Sequence, residues 1–290
     1  MAAPVFFGLD LAWSTRNPSG IALARLRHRT RGVWLEETAY PTADYEIVRW
    51  IRERAPAAAL IAIDAPLIAP NRAGTARDAD RALTRVFGRF QAGVYPANRE
   101  RAARPIAFRR KLERLGFSAD PRLPSPRPES GIRRQLEFYP HSSMVALFEL
   151  PAIVKYKKGS VGARRRGLRR LQRMLGSLGR REPALERSPA LRRLLSTPPR
   201  TLRGRALKQL EDELDAVFLA YLAAYYWRWG LGRCALFGEV RSGYILTISR
   251  GSPTALLSGA ALGRGARMEV TTLTATVSAM TPRARAVGIL

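Results

Sequence analysis

Two short apolar runs, Val5-Phe6-Phe7-Gly8-Leu9 and Ala59-Leu60-Ile61-Ala62-Ile63, each stop at a single aspartate, Asp10 and Asp64. An unbroken apolar run of this length bounded by turn signals is the pattern of a strand buried on both faces. A carboxylate where such a strand ends stands where α/β proteins keep their sites. After Asp10 the chain passes Trp13-Ser14 and the turn-rich Asn17-Pro18-Ser19-Gly20 into Ile21-Ala22-Leu23, as a hairpin return does. After Asp64, Ala65-Pro66 halts the strand, because proline offers no N–H and restricts the residue before it. Either aspartate alone could be a cap for the next element. Their recurrence favours a shared site.

The same patterning extends over the first 65 residues, with strands expected at 4–9, 20–26, 32–38 and 59–64. Between the last two, residues 44–54 place Ile47, Val48 and Ile51 on one helical face. Three strands in hairpin order, then a helical crossover to a fourth, begin a ribonuclease-H-like sheet. A fifth strand is expected over 136–140, carrying Glu137, followed by a helix over 144–150. The fold class expected is therefore α/β, a ribonuclease-H-like mixed five-stranded sheet with flanking helices and a basic helical insertion. Residues 1–250 form one domain in this reading. Residues 70–135, with Asn71-Arg72-Ala73-Gly74 and a Pro-rich stretch at 121–128, read as an insertion on the sheet. Residues 155–205 are basic and helical, with Leu168, Leu171, Leu175 and Leu178 at helical spacing.

The clearest helix lies over 205–227, where Leu207, Leu210, Leu214, Val217, Phe218, Tyr221 and Tyr225 form one stripe. Its early turns carry Glu211, Asp212 and Asp215. At about 100° per residue Asp215 borders the stripe, whereas Asp212 points nearly opposite unless the helix begins late. A hairpin is expected over 235–239 and 243–246. The Ala/Thr/Ser/Arg-rich tail over 251–290 is expected to be mobile or loosely docked.

Composition narrows the chemistry. A lone cysteine, Cys234, excludes an internal disulfide and any multi-cysteine zinc site, which suits a reducing cytoplasm. Two histidines, His28 and His141, leave imidazole-rich metal sites without material. No apolar stretch approaches about 20 residues, so no membrane span is expected. Carboxylates remain. The net charge is +27, with 45 arginines among the 50 basic residues. Residues 99–205 hold 28 basic and eight acidic residues, so 20 of the 27 net charges fall in that stretch. A regional excess of this kind points to an acidic polymer as partner.

Acids at the ends of strands one and four and on the last long helix are the ingredients of a divalent-metal cage. Two magnesium or manganese ions about 4 Å apart stabilise the attacking and leaving oxygens of a phosphodiester. In this reading Asp10 bridges the metals, Asp64 and Asp215 each hold one, and Asp212 or Glu137 completes the cage. Phosphates are gripped by Lys155, Lys157, Lys158, Arg164, Arg165, Arg166, Arg169 and Arg170.

The segments Gly8-Leu9-Asp10-Leu11-Ala12, Asn17-Pro18-Ser19-Gly20, Ile63-Asp64-Ala65-Pro66-Leu67, Glu137-Phe138-Tyr139-Pro140-His141, Tyr156-Lys157-Lys158 and Asp212-Glu213-Leu214-Asp215-Ala216 occur in an order that carries a resemblance. The chain resembles the bacterial and archaeal family of unknown function described as predicted ribonuclease-H-like nucleases, the domain of unknown function 429. The resemblance implies that Asp10, Asp64 and the Asp212/Asp215 pair stand where Holliday-junction resolvases of that superfamily keep catalytic acids. It leaves open whether DNA, RNA, a hybrid or a junction is the substrate. Two other classes compete. A nucleic-acid-binding protein with a degenerate site needs only the regional charge. An ATP-dependent phosphotransferase needs a glycine-rich second phosphate loop, where this chain has Ile63-Asp64-Ala65-Pro66.

Overall fold

The computed structural model describes residues 3–27, 29–124 and 131–249; the tail at 251–290 lies outside them. Its centre is a mixed sheet of six strands: β1 (Val5–Asp10), β2 (Gly20–Leu26), β3 (Val33–Ala39), β4 (Ala59–Ile63), β5 (Arg133–Glu137) and β6 (Leu185–Glu186). The order across the sheet is β5-β4-β1-β2-β3-β6. β2 is antiparallel to β1 and β3, while β4 and β5 run parallel to β1 and β6 parallel to β3. The sheet thus has one strand more than expected. β6 is two residues long, too short for any alternation to announce it.

Both faces of the central strands are covered, which is why β1 and β4 are apolar throughout. Val5, Phe7 and Leu9 point to one face, where they meet Ile47 and Ile51 of α1 (Asp44–Arg54) and Phe108 and Leu112 of α3 (Ala103–Glu113). Phe6, Ala22, Leu60 and Ala62 point to the other, under α7 (Gly204–Trp229). Burying each larger side chain contributes about 1.5–3 kcal/mol. The expected insertion folds as α2 (Asp78–Phe87) and α3. The fifth strand starts earlier than expected. Pro140 is already the first residue of α4 (Pro140–Leu147), where its missing N–H costs nothing, and β5 begins with two arginines. That polar start suits an edge strand; Arg133 spends its guanidinium on the carbonyls of Ala55, Pro56 and Leu115.

The basic segment holds α5 (Val161–Ser177) and α6 (Pro189–Ser196), each opened by a serine cap, Ser160 and Ser188. The expected hairpin is present as β7 (Cys234–Glu239) and β8 (Gly243–Ile248), a separate two-stranded sheet. No helix of the described residues is long and apolar enough to cross a membrane.

α7 sets the geometry of the acids. A Cβ on Gly8 would lie 1.9 Å from the Ala216 carbonyl and 2.2 Å from the Ala220 nitrogen, and one on Gly20 would lie 2.2 Å from the Asp212 carbonyl. Helix backbone therefore rests directly on strand backbone, which only glycine permits. From Leu210 to Tyr226 every residue of α7 is buried. The helix has no solvent face there, so the expectation that Asp212 points away from the sheet fails.

Candidate functional site

Leu9 pairs with Ile63 and Ile63 with Glu137 across three parallel strands, so Asp10, Asp64 and Glu137 share one edge of the sheet. The Asp64 amide still donates to the Leu9 carbonyl at 3.0 Å, fixing the start of the loop that carries it. α7 lies over the neighbouring glycines and brings Asp212 and Asp215 to the same edge. Arg104, from α3, ties down the loop after Asp10 by donating to the Ala12 and Ser14 carbonyls and to Asp44.

At the centre stands Lys157. Its Nζ lies 2.7 Å from Asp215 Oδ2, 3.4 Å from Asp10 Oδ2 and 3.9 Å from Asp64 Oδ2. Three carboxylates from three elements therefore surround one ammonium. Asp215 is completely buried, and the Tyr156 hydroxyl donates to its Oδ1 at 2.7 Å. Its Oδ2 accepts no well-directed hydrogen bond, even with Nζ so near. Asp212 receives the Tyr40 hydroxyl at 2.8 Å and the Lys208 ammonium at 2.5 Å. Asp10 is near enough that the two carboxylates repel.

The crowding splits the acidities. Burial raises Asp10, but the ammoniums of Lys157 and Lys208 outweigh it and hold Asp10 below the ordinary carboxylate range. Burial pushes Asp64 up to about 8, against Lys157 and with repulsion from Asp10 and Asp215. Burial and repulsion from Asp10 push Asp212 up to about 7. Burial, partly offset by Lys157, pushes Asp215 up to about 6. Such a cluster titrates as a unit and holds protons until a cation relieves it. His141 packs between Tyr139 and Tyr156, and burial lowers it to about 3, so its ring is neutral.

Glu137 belongs to a different group. Arg77 donates to Oε1 at 2.6 Å and to Oε2 at 2.9 Å, and the Leu67 amide donates to Oε2 at 2.9 Å. Arg77 also grips Asp80. Both oxygens of Glu137, expected as a catalytic acid or ligand, are engaged in a buried ion pair that joins β5 to the start of α2.

The expected phosphate-binding residues divide likewise. Lys157 lies among the acids. Arg164 is tied to Glu211 and the Tyr156 carbonyl, Arg165 to the Leu202 carbonyl, and Arg169 to Gln172 and the Leu195 carbonyl. Lys155, Lys158, Arg166 and Arg170 are exposed and form no side-chain hydrogen bond or ion pair with the described residues. Sequence reasoning missed Tyr40 and Lys208. The spacing of Lys208 three and four residues before Glu211 and Asp212 is a signal it could have used; Tyr40 offered none.

Among the described residues, no three His, Cys, Asp or Glu side chains form a group able to hold a metal ion in the conformation seen. The four aspartates offer carboxylate oxygens of the type hard divalent cations take, and the Lys157 ammonium stands among those of Asp10, Asp64 and Asp215. No curated protein and no solved structure matches the chain. The chain belongs to the family of proteins of unknown function DUF429, whose model matches residues 8–241 and so takes in all four aspartates, Lys157 and Tyr40.

Proposed function

We propose that the protein is a metal-dependent nuclease of ribonuclease-H-like fold that hydrolyses phosphodiester bonds of a nucleic acid. The observation that carries this reading is the convergence of Asp10, Asp64 and Asp215 on one point, with Asp212 close enough to Asp10 to be repelled by it. An antiparallel β1–β2–β3 meander, continued by parallel β4 and β5 on the far side of β1, supports the fold that the resemblance implies. Asp10, Asp64, Asp212 and Asp215 would hold magnesium or manganese. When bound, two such ions stabilise charge on the attacking and leaving oxygens.

The chain's own residues do the rest. Tyr156 orients Asp215 through its hydroxyl, and Tyr40 and Lys208 orient Asp212. Residues so fixed keep their donor atoms in place without reorganising during the reaction. Exposed Lys155, Lys158, Arg166 and Arg170 draw the polyanion towards the edge of the sheet that holds the acids.

A second reading, a nucleic-acid-binding protein without catalysis, is favoured by one feature: an ammonium already fills the centre of the acids. Cleavage separates the two. Duplex DNA, single-stranded RNA, a hybrid and a four-way junction are incubated with the protein in magnesium, in manganese and in chelator. The nuclease reading expects cuts that need metal and vanish in Asp10→Asn and Asp215→Asn. Tight binding with no cleavage of any substrate would favour the second.

A further inference from the structure

Lys157 lies in an irregular segment, 151–160, in which the two residues before it are held in place. Tyr156 is held by its hydroxyl to Asp215, and a Cβ on Gly167 would lie 2.2 Å from the Lys155 carbonyl, so α5 rests directly on the segment. The Lys157 side chain, in contrast, is 27 % exposed, whereas the Asp215 side chain it reaches is 0 % exposed. The four-carbon stem can therefore swing outward by rotamer changes alone, leaving the carboxylates where they are.

Resting on the metal-dependent reading of this site, we propose that Lys157 is its built-in counter-cation, held on Asp10, Asp64 and Asp215 until a divalent metal displaces it. The ammonium and a metal ion would need the same oxygens. Two cations a few ångströms apart repel strongly where water is scarce. Metal binding is therefore an exchange of one cation for another, and Lys157 sets the metal concentration at which the site switches on. It is a positioning residue for the unloaded site, keeping four crowded aspartates from expelling one another, and it weakens metal affinity by competing.

The test needs no nucleic acid. Manganese is titrated by calorimetry into metal-free full-length wild type, Lys157→Met, Lys157→Arg and Asp215→Asn, and each is melted in chelator. Lys157→Met should bind manganese at least roughly tenfold more tightly than wild type, a modest return for removing one charge within 4 Å. It should melt lower than wild type in chelator and gain more from manganese. Lys157→Arg, which keeps the charge, should bind no more tightly than wild type. Equal or weaker binding by folded Lys157→Met overturns the exchange.

Should Lys157→Met fail to fold without metal, the wild type decides. The chain has five lysines, so ¹³C-labelled lysine Cε signals are few, and Lys157→Arg identifies the one in question. That signal should shift as magnesium saturates the site. If magnesium binds and the signal stays still, the exchange is wrong while the metal site stands. If neither wild type nor any variant binds metal, both the exchange and the metal-dependent reading fall.

Discussion

Asp64 and Asp10 sit 3.9 and 3.4 Å from the same ammonium, yet replacing each with asparagine should move stability in opposite directions. Burial and three neighbouring carboxylates push Asp64 up to about 8 from 3.8. Above about pH 4 the unfolded chain has released this proton, while the folded chain keeps it to about pH 8. The folded state binds more protons across that window, so the stability contributed by Asp64 falls as pH rises, by about 1.4 kcal/mol per unit. Between pH 3.8 and 7 this amounts to about 4 kcal/mol at most. Water reaching a side chain that is 21 % exposed screens part of it, leaving about 1–3 kcal/mol for Asp64→Asn to recover. For a domain of this size the melting temperature should rise by roughly 3–10 °C at pH 7–8, and the gain should shrink to nothing near pH 4. Asp10 is held below its ordinary range by Lys157 and Lys208, against burial, so its contribution is present above about pH 4 and lost as pH falls. Asp10→Asn should therefore melt lower than wild type at neutral pH. Thermal melts in chelator at pH 4.5, 7 and 8.5 check both. Were Asp64→Asn to melt at or below wild type at pH 8.5, or were both variants to shift the same way, the split of acidities around Lys157 would be refuted.

Gly8→Ala places a methyl 1.9 Å from the Ala216 carbonyl, so α7 must retreat by more than an ångström; melts should show a loss of about 3 kcal/mol or more. The same shift carries Asp212 and Asp215 away from Asp10, and metal-dependent cleavage should drop by about a hundredfold or more. Arg77→Met strands Asp80 and Glu137 without their buried cation and should cost about 3–5 kcal/mol in denaturant unfolding, whereas Glu137→Gln should leave manganese affinity as in wild type. Replacing Lys158, Arg166 and Arg170 with glutamine should flatten the dependence of duplex DNA binding on salt by up to about 0.9 per lost phosphate contact. Replacing Arg164 and Arg165 should instead lower the melting temperature, because their guanidiniums are spent on Glu211 and the Leu202 carbonyl.

The strand-end aspartates were legible because a strand buried on both faces leaves only its ends for a charge, and Asp10 and Asp64 interrupt runs that are otherwise wholly apolar. α1 was legible to the residue, with Ile47 and Ile51 inward, and so was β2. Asp212 was misread for a physical reason. A helical projection assumes a wet face opposite an apolar one, and α7 has none over the turns that carry the acids. The place of Lys157 was hidden because a lysine in a basic stretch reads as a surface residue for phosphate. Only the pinning of Tyr156 by Asp215 and of Lys155 by Gly167 turns it inward, and both partners are remote in sequence or lack a side chain. Glu137 reads like Asp10 and Asp64, an acid where a central strand stops. What separates it is Arg77, 60 residues away and without any local mark.

The direct seating of α7 on Gly8 and Gly20 has a consequence for how the protein comes into being. The acids arrive from residues 10, 64, 212 and 215, and the last two leave the ribosome well after the sheet strands β1 to β5 have been made. Until α7 lies across β1 and β2, Phe6 and Leu60 are uncovered on one face, and Asp10 and Asp64 face each other without Asp215, while Tyr156 has no carboxylate to bind. A nascent or truncated chain lacking α7 is therefore sticky and lacks two of the four clustered aspartates. Pairings over such long sequence separations form slowly, so the interval before α7 docks is when this chain most needs protection from aggregation.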